Sequence, residues 1–349
     1  MHRLILWGAR VALVVGVLVS AAWVSEAARP VRARDEPLRV GYDRAIAAGM
    51  RAPRARASIV GGRGASIASF PFQVALYDPR AGSPAAGFFC GGVIIDATHV
   101  ATAAHCVVGS GSSGSLEVLA GSTSLSRPDA GSVRDPVASS SFDSRYEPAS
   151  SDYDVALLTL ARPLWSSQAP PAVNGVSTIA PLPVDAGRAL AYGNPNITPA
   201  VIATASGWGD VNPAPGSGPG YPTSLRAVRM PLVSDGLCEE AYAAIEQTIT
   251  PRMICAGGGR SRVDTCYGDS GGPLLADQNN PPRPPGDYVL VGLVDFGNGC
   301  AQRGYPGVYA SIADPDVARF LQLGAGHRAT PIGKQAKKKR KKRHRHRHR

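Results

Sequence analysis

Lysine is missing from most of this chain of 349 residues, because every lysine lies after residue 333. The sequence also lacks a phosphate-binding loop, a nucleotide-binding fingerprint and a cluster of metal-ligating residues. We therefore expect neither a cofactor nor a metal ion. The N-terminal apolar run, Val11–Val19, is short for a membrane span.

This apolar run has the pattern of an export signal. It follows basic residues and precedes Ser25-Glu26-Ala27, which offers small residues at both specificity positions of a cleavage site. We predict a signal peptide over 1–27 and a secreted, extracellular protein; an uncleaved membrane anchor is the alternative. Export would place the six cysteines in an oxidising compartment, where they predict three disulfides with fifteen conceivable pairings.

The net charge of +11 comes from the two ends of the chain. Residues 334–349 hold eleven Lys and Arg and no acid, and residues 1–58 hold ten Arg and four acids. The remainder has sixteen Arg and twenty-two acids, a net charge of −6. The polybasic tail over 324–349 is predicted to be disordered. The tail could contact a polyanion, or it could be a solvated extension without a dedicated partner. Export argues against a specific nucleic-acid partner.

Short apolar runs alternate with turn residues along the chain, which contains 40 Gly and 30 Pro. This pattern predicts an all-β protein with many turns. Residues 28–58, rich in Arg, Ala and Pro, are predicted to form a flexible pro-segment. Asp314 and Pro315 predict the start of a C-terminal helix. The strand-like runs are Phe72–Tyr77, Gly91–Ile95, Val155–Leu160, Val201–Ala205 and Val289–Val294.

Residues 264–273, DTCYGDSGGP, point most directly to chemistry. Ser270 lies between Asp269 and two glycines. A serine nucleophile needs such surroundings, because substrate backbone must come close and backbone N–H groups must face a developing oxyanion. Taken alone, the segment could also be an ordinary turn.

A histidine and an acid elsewhere in the chain could complete a nucleophilic site. His105 directly precedes Cys106 after a strand-like run, and Asp154 precedes the apolar run Val155–Leu160. A histidine beside a cysteine is usually structural. However, burying a carboxylate at the start of a strand is costly unless a donor such as an imidazole N–H satisfies it.

Together these motifs resemble those of the trypsin-like (chymotrypsin-fold) serine endopeptidases, of the secreted bacterial type. The resemblance covers residues 59–323 and implies an all-β fold of two packed six-stranded antiparallel Greek-key barrels, about 59–180 and 181–323. The active site would lie between the barrels, with a helix at the C-terminus, and a monomer is expected. The matching segments, in chain order, are Ile59 to Gly62, Cys90 to Gly92, Thr102 to Cys106, Asp154 to Leu158, Gly207 to Gly209, Asp264 to Pro273 and Pro306 to Tyr309.

The resemblance also assigns roles to residues. It implies that Ser270 attacks the peptide carbonyl, that His105 transfers the proton and that Asp154 orients the imidazole. The backbone N–H groups of Gly268 and Ser270 would form the oxyanion hole. The implied disulfides are Cys90–Cys106, Cys238–Cys255 and Cys266–Cys300.

Substrate preference would come from Asp264, at the floor of a pocket whose walls Gly297 and Gly307 keep open. A carboxylate there would bind Arg or Lys before the scissile bond, so the expected partners are protein or peptide substrates carrying these residues. The alternative is that Asp264 is an acid on a surface loop.

Activation would follow cleavage before Ile59, whose new amine would insert beside Asp269. The chain would therefore be made as a zymogen. Because Ser58 precedes Ile59, an enzyme specific for Arg or Lys should not release this amine itself. We predict that another protease, or trimming, does so.

One position departs from the family pattern, which usually has Ser-Trp before the pocket glycine. This chain has Asp295-Phe296-Gly297. The resemblance implies that the backbone of Asp295 binds substrate. Its side chain could face Asp154, so that two carboxylates share one site, or it could face water, so that only the backbone matters. The alternatives to an enzyme are a catalytically weak trypsin-fold binding protein and a surface-retained protein that depends on its polycationic tail.

Overall fold

The computed structural model describes most of the region that carries the motifs. The predicted signal peptide, the predicted pro-segment and most of the tail lie outside the described residues. In the part that is described, no helix has the length and apolar character needed to cross a membrane. The described residues are 59, 61–108, 116–166, 172–173, 176–177, 180–192, 201–211, 221–258, 263–277 and 288–326.

Within these ranges the chain is mainly antiparallel β-structure with a few short helices. The strands are β1 Arg63–Gly64, β2 Gln73–Tyr77, β3 Phe88–Ile94, β4 His99–Thr102, β5 Glu117–Ala120, β6 Val133–Phe142, β7 Ala156–Leu160, β8 Ala172–Val173, β9 Val176–Ser177, β10 Ile202–Gly207, β11 Arg226–Val233, β12 Met253–Ala256, β13 Pro273–Asp277, β14 Tyr288–Phe296 and β15 Gly307–Ser311. The α-helices are Pro84–Gly87, Ala186–Tyr192, Asp235–Ala243 and Pro315–Gly324, and the 3₁₀ turns are Ile67–Ser69, Pro79–Ala81 and Ala104–Cys106.

Two barrels are built from these strands in the same order. β2 to β7 close in the order β2-β3-β4-β7-β6-β5, and β10 to β15 close in the order β10-β11-β12-β15-β14-β13. Numbered within each barrel, both orders read 1-2-3-6-5-4, a Greek-key arrangement. β1 adds to β11 outside the second ring. The predicted fold of two six-stranded antiparallel barrels is confirmed.

The apolar runs form strands because both barrel interiors and the interface between the barrels must be filled. Each predicted run lies in, or overlaps, a strand: β2, β3, β7, β10 and β14. All residues of β2 and β14 are buried. Such complete burial suits strands that pack on both faces, and it explains why these runs do not alternate with polar residues.

The predicted C-terminal helix is also confirmed. The Asp314 side chain accepts hydrogen bonds from the N–H groups of Asp316 and Val317, and Pro315 occupies the first turn. Val317 and Leu321 bury the apolar face. The capping acid therefore fixes where the helix begins, because it satisfies N–H groups that have no partner within the helix.

Three disulfides join the six cysteines, in the pairs that the resemblance implied: Cys90–Cys106, Cys238–Cys255 and Cys266–Cys300. The first links β3 to the turn that carries His105, and the third links the segment before Ser270 to the loop after β14. Each closes a short loop, so its loss should cost about 3 kcal/mol of stability.

Candidate active site

His105 and Asp154 meet at one end of the first barrel. β4 and β7 pair so that Thr102 faces Ala156, which brings the turn after β4 next to the residues before β7. The backbone N–H of His105 donates to Oδ1 of Asp154 at 2.8 Å, and Nδ1 of His105 lies 2.6 Å from Oδ2. Because a carboxylate only accepts, Nδ1 must carry the proton of this bond. In the neutral form of the ring, Nε2 then carries no proton and can accept one.

Asp154 is ionised in this arrangement although it has no exposed surface. Burial alone would raise its pKa, but the positive charge that His105 can carry and the two hydrogen bonds from His105 lower it below the usual value. The carboxylate can therefore hold the imidazole in one tautomer and stabilise its positive charge when it takes up a proton.

Ser270 approaches this pair from the second barrel, where it lies just before β13. Its carbonyl accepts a hydrogen bond from the N–H of Gly91 in the first barrel at 2.8 Å, so the two barrels meet at this residue. Oγ of Ser270 and Nε2 of His105 are buried, and neither has a hydrogen-bond partner among the described residues. Unsatisfied buried polar atoms are rare in folded proteins. Here they belong to the two residues that the sequence predicts as nucleophile and base.

The glycines around Ser270 are required by the geometry of its loop. Gly268 and Gly271 have φ of 91° and 74°, a backbone region that residues with a side chain rarely adopt. A Cβ atom on Gly268 would also lie 2.8 Å from the Tyr221 ring. The N–H groups of Gly268 and Ser270 donate to no other described residue. Both are therefore available to bind an oxyanion.

Asp264 lies buried behind this loop, so the alternative of a surface acid is wrong. Its carboxylate accepts hydrogen bonds from the N–H groups of Thr265 and Ala301, both at 2.9 Å. Burial raises its pKa to about 8, although these two bonds oppose the shift. No basic side chain of the described residues forms an ion pair with it. Among the described residues, Asp264 is thus a buried acid that no cation neutralises.

The two glycines predicted for the pocket walls lie in tight surroundings. A Cβ atom on Gly307 would lie 2.6 Å from Oδ1 of Asp264, so Gly307 directly covers this carboxylate. A Cβ atom on Gly297 would lie 3.0 Å from the carbonyl oxygen of Gly299. Any side chain at Gly307 would reach the space in front of Asp264 and restrict access to it.

Asp269 is enclosed by the Gly207-Trp208-Gly209 segment. It accepts from the N–H groups of Gly209 and Cys266 at 2.8 and 2.9 Å, and burial raises its pKa to about 7. A Cβ atom on Gly207 or Gly209 would overlap the carboxylate, which explains both glycines. Ile59 is buried, but no hydrogen bond or ion pair joins it to Asp269 in the described part of the chain. In the uncleaved chain its nitrogen belongs to a peptide bond.

Asp295 faces Asp154, and the interpretation that it faces water is wrong. It has no exposed surface. One carboxylate oxygen of Asp295, one of Asp154 and a ring nitrogen of His105 lie within 4.8 Å of one another. The site therefore contains a second acid, whose orientation towards Asp154 or towards water could not be decided from the sequence.

Sequence reasoning missed Gln73, a buried polar residue at the start of β2. Its Oε1 accepts from Oγ of Ser206 at 2.7 Å, which joins the two barrels. A Cβ atom on Gly91 would lie 3.1 Å from its Nε2, so Gln73 packs beneath the strand that holds the Ser270 carbonyl. Its only signal in the sequence is an amide at the head of an apolar strand.

A family model described as Trypsin matches residues 59–318. The chain belongs to the trypsin family. It is 32% identical to Trypsin from Saccharopolyspora erythraea over 77% of this chain and 99% of the relative. It is 33% identical to Trypsin-1 from Astacus astacus over 73% and 95%, and 36% identical to Trypsin beta from Drosophila erecta over 75% and 87%.

Membership of the trypsin family gives the class of activity of this chain. The chain is a serine-type endopeptidase, a hydrolase of protein or peptide substrates. As in a trypsin fold, the two barrels contribute different parts of the site. His105 and Asp154 come from the first barrel, and Ser270, Asp264 and Asp295 come from the second.

Proposed function

We propose that this chain is a secreted endopeptidase that cleaves peptide bonds after Arg or Lys and is made as a zymogen. The observation that carries this proposal is the junction of the two barrels. There His105 is held by two hydrogen bonds to Asp154, while its Nε2 and Oγ of Ser270 have no partner among the described residues.

The proposed reaction passes through an acyl-enzyme. Oγ of Ser270 bonds to the substrate carbonyl carbon while its proton passes to Nε2 of His105, and Asp154 stabilises the imidazolium. The N–H groups of Gly268 and Ser270 bind the oxyanion, and each donor stabilises the transition state by about 3–4 kcal/mol. The C–N bond then breaks and His105 protonates the leaving amine. Water repeats the steps on the ester and releases the acid product and free Ser270.

Substrate choice would follow from Asp264, a buried acid without an ion-pair partner among the described residues. A guanidinium or ammonium group reaching Asp264 would favour its ionised form and offset the burial that raises its pKa to about 8. A planar guanidinium can also bond a carboxylate at two points. Gly307 supports this assignment because it places no side chain against the Asp264 carboxylate.

Activation follows the same electrostatic reasoning. Cleavage before Ile59 would release an ammonium group, and Asp269 is a buried acid that forms no ion pair within the described part of the chain. Pairing the two would remove the cost of burying the carboxylate and would order the Ser270 loop, which starts at Asp269. Export is supported by the predicted signal peptide and by the three disulfides.

The test uses a full chain with Ser58→Arg, which offers an Arg-specific enzyme a cleavage site directly before Ile59. After maturation, we expect stoichiometric labelling of Ser270 by a fluorophosphonate and much faster hydrolysis of Arg and Lys peptide amides than of Phe and Ala amides. Ser270→Ala is the control that should not be labelled. A correctly cleaved chain that resists the label would favour the catalytically weak binding protein. Faster cleavage after Phe or Ala would disprove the specificity.

A further inference from the structure

Asp295 is a second carboxyl group at the His105–Asp154 pair that the catalytic steps do not use. It lies at the end of β14 and is fully buried. From its position we infer that Asp295 is a neutral, protonated acid that donates a hydrogen bond to ionised Asp154. It would thus act as a positioning residue. This inference rests on the proposed function, because Asp154 matters to catalysis only through His105.

The charged groups around Asp295 and Asp154 favour the ionisation of one of these two carboxyl groups, not of both. Of the groups that act on Asp295 and Asp154, only His105 can become cationic. Its backbone N–H and its Nδ1 already bond Asp154. Asp152 is neutralised by Arg252 at 2.6 Å. Two like charges within 4.8 Å in a buried site disfavour each other strongly. The titratable and polar groups that act on Asp295 and Asp154 are His105, Tyr146, Ser151, Asp152 and Tyr242.

The hydrogen bonds decide which of the two acids holds the proton. Asp154 accepts two short bonds from His105, whereas neither oxygen of Asp295 receives a well-formed bond from a donor in the described residues. As an ion Asp295 would be unsatisfied, but as an acid it has an acceptor beside it. Burial, the Asp154 charge and a hydrogen bond between the two side chains raise the pKa of Asp295, against a smaller opposing effect of Ser151.

A neutral donor and an ionised neighbour would affect the reaction differently. A neutral Asp295 would orient the Asp154 carboxylate without adding charge. An ionised Asp295 would place a second negative charge beside the imidazole and favour the imidazolium. The acid limb of the kcat/KM profile would then lie at higher pH. The pH profile therefore distinguishes the two states.

Two substitutions in the Ser58→Arg chain test the inference. Asp295→Asn replaces a neutral donor by a neutral donor of similar shape, so we expect kcat within about threefold and an unmoved acid limb. Asp295→Ala removes the donor, and we expect kcat to fall about tenfold with little change in KM, as for the loss of a hydrogen bond to a charged group. Asp295→Ser, a smaller neutral donor, should restore most of the loss and covers the case that the Asn variant fails to fold.

A second measurement does not depend on activity. In the uncleaved full chain with Ser270→Ala, the infrared difference between Asp295 and Asp295→Asn should show the carbonyl band of one protonated carboxyl group. Absence of this band, or an acid limb about one unit or more lower in Asp295→Asn, would overturn the inference. Failed fluorophosphonate labelling would instead overturn the proposed function and would leave the band in place.

Discussion

Asp264→Asn should weaken catalysis and strengthen the fold at the same time. The acid is fully buried, its pKa is raised to about 8, and no cation of the described residues pairs with it. In the substrate-free protein the buried Asp264 carboxylate therefore destabilises the fold. A bound Arg or Lys side chain would offset this free-energy cost. Asparagine removes the charge and keeps nearly the same shape.

The size of the stability gain follows from linkage. The pKa of Asp264 is higher in the folded state, about 8, than its ordinary value of 3.8, so the folded chain binds the extra proton. Its contribution to stability is therefore lost as pH rises from about 4 to 8. Between pH 5 and pH 8 the parent should lose about 4 kcal/mol that the Asn variant keeps. Using this difference cancels changes in packing, which do not depend on pH, and the effect of the hydrogen bonds from Thr265 and Ala301 is already contained in the pKa of about 8.

The stability assay is denaturant unfolding of the full chain at pH 5 and pH 8, with Ser270→Ala in both proteins to prevent self-digestion. The activity assay compares Arg and Ala peptide amides in the active background. Loss of one partner of a buried charge pair should cost 2–5 kcal/mol, about 30- to 5,000-fold in kcat/KM for Arg. The Ala substrate should change little. Equal pH slopes for the parent and the Asp264→Asn protein, or an unchanged preference for Arg, would refute the reasoning.

Three further predictions concern activation, the pocket and the tail. Ser58→Arg should let the purified chain mature itself, as read by N-terminal sequencing; adding Ser270→Ala should abolish this, and maturation of the unmodified chain would contradict the reasoning. Gly307→Val should lower kcat/KM for Arg substrates about 100-fold or more and spare Ala substrates, because its Cβ would lie 2.6 Å from Oδ1 of Asp264. Deleting 334–349 should leave kcat/KM unchanged and remove salt-sensitive heparin retention; unchanged retention would exclude polyanion contact by the tail.

The local motifs could be interpreted before any fold was known, because their meaning depends on residues close together in the sequence. Ser270 is flanked by glycines that its own loop requires, with φ of 74° at Gly271. Asp314 caps the helix that it begins. Backbone geometry of this kind is set within a few residues, so the sequence predicts it well.

The repeated topology of the two barrels left no trace in the sequence. No internal repeat is evident in the chain, yet both barrels connect their strands in the order 1-2-3-6-5-4. Strand order depends on which strands form hydrogen bonds with each other, including strands that are far apart in the sequence. Many different apolar sequences satisfy the same pairing, so similarity of topology need not produce similarity of sequence.

The family and the strands could be predicted from the amino-acid sequence, because they depend on local composition and on motifs in a fixed order. The burial of Asp264 and the approach of Asp295 to Asp154 became known from the folded chain alone. The direction of a side chain at the end of β14 depends on strand register and on packing against the other barrel. The charge of a buried acid depends in turn on which distant groups surround it, and no short stretch of sequence contains that information.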